Sequence, residues 1–275
     1  MPRASSALQQ ALRIAPALSQ AYTCRGCVRA LFEWDWAGAE ADFQTALSLN
    51  AAYPTAHHWY AIHHLVPLGR FGEASASLHR ALDLDPLALA IKTSLGLTGY
   101  FSGHFADAVD ELLKTIELDE RFGIARLFLG ATYTEQSRYA EAHSELEAAI
   151  RLSGPTPEIL AAVGYLHGRS GDEAAARVVL DDLRRLARDR YVSPARLAQV
   201  HLGLDEHNEA LSLLERAHAE RAPDLAWIAV RPVFGSVRTT SRFIALLERM
   251  GLAGMTMGHG GEPRVTDDDT TPGAQ

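Results

Sequence analysis

The chain has 275 residues, 47% of them hydrophobic and 22% charged, which is a globular composition and not a disordered one. Its net charge of −8, from 34 acidic and 26 basic residues, repels nucleic acid. No apolar run nears the roughly 20 residues that span a bilayer, so neither nucleic-acid binding nor a membrane anchor is expected. Alanine supplies 45 residues, and no long stretch alternates apolar and polar positions, which favours close-packed helices over a large sheet.

The first segment, 3–16, carries Ala4, Leu8 and Ala11 at helical spacing. These residues lie 35 positions before Ala39, Phe43 and Ala46, so the segment reads as the second helix of a repeat whose first helix is missing. Such an open end is expected to self-associate. The N-terminus lacks the pattern of a signal peptide, and two cysteines make no disulfide framework, so a cytoplasmic location is expected.

Residues 17–224 repeat with a period of 34. Ala39, Ala74, Ala108, Ala142, Ala176 and Ala210 fall in phase. Four positions later come Phe43, Leu78, Leu112, Leu146, Leu180 and Leu214, and three further on Ala46, Ala81, Thr115, Ala149, Leu183 and Ala217. Offsets of four and seven return to one helix face. Trp36, Phe71, Phe105 and Tyr139 precede the first four alanines by three residues, and Glu173 and His207 replace the aromatic afterwards. Upstream of each ladder a second helix carries Gly26, Ile62, Gly96, Gly130, Gly164 and Ala198. The turn between the two helices holds Gly69, Gly103, Ser137, Gly171 and Asp205, and the first repeat has one extra residue there, around Glu33 to Trp36. Helix pairs of this kind cannot bury their apolar faces alone, so they stack; each is expected to touch mainly its neighbours, which would make stability additive along the array.

Residues 225–252 read as a closing segment: Ser241 caps a short helix, Phe243, Leu246 and Leu247 form its apolar face, and Gly251 stops it. From 253 to 275 the chain has almost nothing to bury and is expected to be unstructured.

These ladders resemble the tetratricopeptide repeat, most closely in the fourth repeat with Gly130, Tyr133, Tyr139, Ala142, Leu146 and Ala149. The resemblance implies an all-α, right-handed superhelix of about six helix pairs with a C-terminal capping helix. The runs DWAGAEADFQTALSLN, AHHWYA and LGRFGEA, with the ending RPVFGSVRTTSRFIALLERMGL, also resemble the repeat region of bacterial regulators, where it follows a winged-helix, serine/threonine kinase or adenylate cyclase domain. This implies a regulatory, protein-binding module in which the partner is a protein, a peptide or a domain of the same polypeptide.

Inner-face positions of the first helices mark a groove: Trp59, His63, Val66, Leu97, Tyr100, Phe101, Leu127 and Tyr165. An apolar, aromatic surface suits a hydrophobic peptide or helix, although aromatics that pack between repeats would give the same pattern. Cys24, Cys27 and His63 are weak metal candidates, because a zinc site needs four ligands and no second cysteine pair exists. No nucleophile elbow, phosphate loop or zinc-protease motif occurs, and adjacent carboxylates such as Asp181 and Asp182 diverge on a helix. No enzyme activity and no cofactor are therefore expected; a groove that takes a small ligand, and a stand-alone scaffold, remain the alternative functions.

Overall fold

A computed structural model describes residues 2–254, with side chains from Ser6 onward. The unstructured tail expected from 253 lies, but for its first two residues, outside the described residues. The described chain is helical throughout, with no strand. After α1 (Pro2–Ile14) come six antiparallel pairs: α2 (Ser19–Val28) with α3 (Trp36–Leu49), α4 (Pro54–Tyr60) with α5 (Phe71–Leu84), and α6 (Leu89–Ser102) with α7 (Phe105–Leu118). They continue with α8 (Gly123–Glu135) and α9 (Tyr139–Ser153), α10 (Pro157–Arg169) and α11 (Glu173–Leu186), and α12 (Pro194–Gly203) and α13 (His207–Ala219). This is the all-α solenoid that the repeat pattern predicts.

The small-residue slots set the helix spacing. The six in-phase alanines from Ala39 to Ala210 are fully buried, and the Phe43–Leu214 ladder beneath them is at most 2% exposed. A Cβ on Gly96 would stand 2.6 Å from Leu112 Cγ, and one on Gly130 2.7 Å from Leu146 Cγ, so glycine there admits the leucine of the second helix. Each such leucine contributes roughly 1.5–3 kcal/mol by leaving water. Five of the six turns place the slot residue in left-handed backbone: Gly69, Gly103, Ser137, Gly171 and Asp205 have φ between 57° and 86°.

The first two pairs depart from regular helix. After Val28 the chain runs through a π-turn, Arg29–Glu33, and Trp34 (φ 55°) takes the left-handed position. The wider turn absorbs the extra residue of that repeat. A second π-turn, Ala61–Leu65, follows α4. There Pro67 lacks the N–H that a regular helix would aim at the His63 carbonyl, and Val66 N–H bonds instead to the Ala61 carbonyl at 2.9 Å.

The closing segment departs most from expectation. It forms two 3₁₀ turns, Pro223–Trp227 and Pro232–Val237, and then α14 (Ser241–Arg249). Thr240, not Ser241, caps α14, accepting from Phe243 N–H, and Gly251 ends it at φ 68°. Phe243, Leu246 and Leu247 are buried as predicted, and Arg242 fastens α14 to α13 through both oxygens of Glu215 at 2.9 and 2.8 Å. Beyond covering the last pair, the segment returns to the first pairs. Trp36 Nε1 donates to the Met250 carbonyl at 2.7 Å, and Trp227 Nε1 donates to the Ile62 carbonyl at 2.7 Å. Just before it, Arg221 donates to the Phe32 carbonyl at 3.0 Å and lies over the Trp34 ring, which stacks on His218. One core cluster therefore joins Trp34, Ile62 and Leu65 to Leu225, Ile228, Phe234 and Phe243. Three smaller clusters join adjacent helices, in keeping with the expectation that each pair touches mainly its neighbours, but this cluster also ties the two ends of the solenoid together, so stability is not purely additive along the array.

Candidate functional site

The predicted groove residues gather on the inner side, but the chain itself occupies much of the space they face. Val66, Tyr100, Phe101 and Tyr165 are at most 5% exposed and share one cluster with Ile228, Val230, Val233 and Phe234 of the closing segment. Leu97 packs half-buried against the same cluster. An open groove at these residues is corrected: the first occupant is residues 225–252. The sequence hid this because the segment's apolar positions fit a simple end cap equally well.

Trp59 and His63 sit at the first-repeat end. His63 lies between the Trp59 ring at 6.0 Å and the Trp227 ring at 5.6 Å, and burial, reinforced by His58, lowers its pKa to about 3. Cys27 packs instead with Ala30, Ala39 and Phe43, and burial raises the thiol pKa of both Cys27 and Cys24. Among the described residues no three His, Cys, Asp or Glu side chains come together as a metal group, so the structure does not bring Cys24, Cys27 and His63 together.

A structural charge network stands beside them. Glu40 accepts from Tyr60 at 2.5 Å and Arg70 at 2.7 Å, and pairs with buried His64. Burial pushes the Glu40 carboxyl up, but these three partners outweigh it and hold it below the usual range.

Leu127 is buried in the core of the middle repeats, 4% exposed, and forms part of a cavity wall. A cavity of about 520 Å³ opens between the N-terminal ends of α8, α10 and α12 and the start of the closing segment. Its walls are Ile124, Leu127, Ile159 and Pro223, with Tyr191 on a loop. Ile124 and Tyr191 are 53% and 61% exposed. One side carries a polar group: Arg196 pairs with Glu158 at 3.0 Å and Asp224 at 3.1 Å, and the Ser193 hydroxyl donates to Asp224 at 2.7 Å. Sequence reading missed this site, since only Leu127 belongs to the aromatic stripe.

A second polar constellation lies deeper along the inner stripe. Glu135 ends α8; Tyr165 and Arg169 lie on α10, Gln199 on α12, and Arg231 and Arg238 on the closing segment. Arg169 donates to the Tyr165 hydroxyl at 2.8 Å, Arg231 to Gln199 Oε1 at 3.2 Å, and Arg238 to the Arg231 carbonyl at 3.1 Å. Burial raises the Glu135 pKa to about 7, against the pull of Arg169, Tyr165, Arg231 and Arg238. The signal for these residues was in the register: Glu135 and Arg169 follow Phe101 at successive 34-residue steps, and Gln199 follows Tyr165 by one step.

No family model matches the chain, and no curated protein matches it. Among solved structures it is similar to PilF of Pseudomonas aeruginosa, with 21% identity and a TM-score of 0.52, over 67% of this chain and 83% of that one. It is similar to a tetratricopeptide repeat protein from Parabacteroides merdae at 17% identity and a TM-score of 0.59, over 81% and 89% of the two chains. A third likeness, to a chain of the Cut9–Hcn1 hetero-tetramer of the APC/C, has 14% identity and a TM-score of 0.58, over 88% of this chain and 48% of that one. At these identities the likeness is one of fold, and that fold is the tetratricopeptide-type solenoid.

Proposed function

We propose that this chain is a non-catalytic protein-interaction module of a bacterial regulatory or signalling protein, and that it receives an apolar segment of its partner in the cavity at the N-terminal ends of α8, α10 and α12. The observation that carries this reading is the 520 Å³ cavity with Ile124 and Tyr191 exposed at its edge. Its volume lies within the roughly 300–1,000 Å³ typical of binding pockets. Exposed apolar groups beside a concave, mostly apolar wall are what an anchoring side chain uses. Because the closing segment holds Tyr100, Phe101 and Tyr165, the docking surface moves from the expected aromatic stripe to this cavity. The regulatory setting rests on the resemblance of the sequence to repeat regions of bacterial regulators.

The test is peptide selection from a random display library on the purified full chain. Selected peptides are expected to carry an apolar anchor, and to lose binding to the Ile124→Glu and Tyr191→Glu variants. They should keep it for Val178→Glu, a substitution of an exposed residue on α11. Binders indifferent to both cavity substitutions would overturn this docking site.

A further inference from the structure

We infer that the polar constellation on the inner stripe is a binding site for a small organic anion, held by the guanidinium groups of Arg231 and Arg238 beside Glu135 and entered past Arg169. The site adjoins the polar side of the protein-docking cavity, since Arg231 feels Arg196, Glu158 and Asp224 there, but it takes a different ligand and is tested separately.

The charge inventory points to an anion. Three arginines, Arg169, Arg231 and Arg238, act on the carboxyl of Glu135, and among the described residues none of the three stands within ion-pair distance of a carboxylate; Arg231 also feels the more distant Glu158 and Asp224 and the like charge of Arg196. Their hydrogen-bond acceptors are a phenol, a side-chain amide and a backbone carbonyl, all neutral. This contrasts with Arg25, Arg70, Arg126 and Arg196 elsewhere in the chain, each of which pairs with a carboxylate. Arg231 and Arg238 are half-buried, and burial lowers the pKa of both against the pull of Glu158 and Asp224 on Arg231 and of Glu135 on Arg238; Arg238 Nε and Glu135 Oε1 are buried without a hydrogen-bond partner. An uncompensated charge in the interior is costly, and an oxyanion relieves that cost while matching the fork of a guanidinium. In a protein of net charge −8, such a local excess of positive charge is a specific feature and not part of a general basic surface.

The walls suit a small molecule. Tyr100 and Tyr165, 3% and 5% exposed, flank the carboxyl of Glu135, whose Oε1 is buried, and Arg169 at the edge of the group is exposed. Glu135 gives the site a proton-linked signature. The groups that face it are Tyr100, Tyr165, Arg169, Arg231 and Arg238, and its carboxyl titrates near pH 7. Protonated, it is neutral and donates a hydrogen bond to an incoming oxyanion; ionised, it repels one. Anion binding should therefore take up a proton above pH 7.

Isothermal titration of the full chain with succinate and with inorganic phosphate, at pH 6 and pH 8, tests the site and separates a carboxylate from a phosphoryl preference. We expect saturable one-to-one binding of at least one probe, tighter at pH 6. Arg238→Gln should weaken it by about tenfold or more, as loss of a charge-assisted hydrogen bond does. Glu135→Gln, which removes a buried charge and should fold well, is expected to bind at pH 8 as tightly as the native chain does at pH 6, with no pH dependence. Absence of saturable binding by both probes at pH 6 overturns the site. So does a Glu135→Gln variant that keeps the native affinity and pH dependence.

Discussion

Trp36 and Met250 stand 214 residues apart in sequence, yet the Trp36 indole donates a 2.7 Å hydrogen bond to the Met250 carbonyl. The bond joins the start of α3, the second helix of the first pair, to the residue that follows α14. With the Trp227–Ile62 bond it turns an array that could unravel from either end into one whose ends support each other. Trp36→Ala is expected to destabilise the chain by ~2–4 kcal/mol, from lost packing and a carbonyl left without its donor. Denaturant melts check this; a loss below ~0.5 kcal/mol would mean that the closure contributes little.

The small slots make a second prediction. Ala108 and Ala142 are fully buried where two helices meet. Leucine at either position should cost ~1–3 kcal/mol through overpacking. Gly130→Ala should also destabilise, since its Cβ would stand 2.7 Å from Leu146 Cγ and 3.1 Å from the Ala142 carbonyl oxygen. Unchanged midpoints in these variants would contradict the close helix contact.

Acid should weaken the first-repeat end. Burial lowers the pKa of His58 to about 4, and of His63, where His58 adds to the effect, to about 3, from the ordinary 6.5. Both are neutral in the folded chain, while the unfolded chain takes protons near pH 6.5. Their contribution is complete above pH 6.5 and declines as the pH falls toward 4. His63→Phe should flatten this decline in melting temperature measured against pH; an unchanged slope would contradict the burial of the His63 ring.

Glu135 acts in the opposite direction. Its carboxyl keeps a proton up to about pH 7 in the folded chain, against an ordinary 4.5. The folded state binds more protons in that window, so this contribution is full below pH 4.5 and lost as the pH rises through 7. Glu135→Gln is expected to gain ~1–3 kcal/mol at pH 8 and little at pH 4. Equal effects at both pH values would show that the native carboxyl titrates normally.

The repeats were legible because each pair solves the same packing problem. Ala142 over Leu146, against Gly130, is a local rule written within 17 residues. The extra residue of the first turn was visible too, but not the π-turn that takes it up, since a one-residue surplus fits several backbone solutions. The route of the closing segment was hidden for another reason. Trp34, Trp36 and Trp227 find partners at the far end of the chain, and no periodicity encodes that. Tyr100, Phe101 and Tyr165 look the same in sequence whether a foreign peptide or the chain's own residues cover them. Glu135 and Arg169 occupy the slot that Phe101 holds, and Gln199 the slot that Leu97 and Tyr165 hold, in other repeats; a search for apolar stripes passes over them.

Hydrogen exchange of residues 223–252 in the full native chain tests the self-filled inner face most directly. If this segment lies against the first pairs and α12, the amides around Ile228, Val230 and Phe234 should exchange as slowly as those of α6 and α12, and Trp36→Ala should speed them. Exchange of that segment within seconds, alongside strong protection of α6 and α12, would show that the inner face is open and that the aromatic stripe is free for a partner.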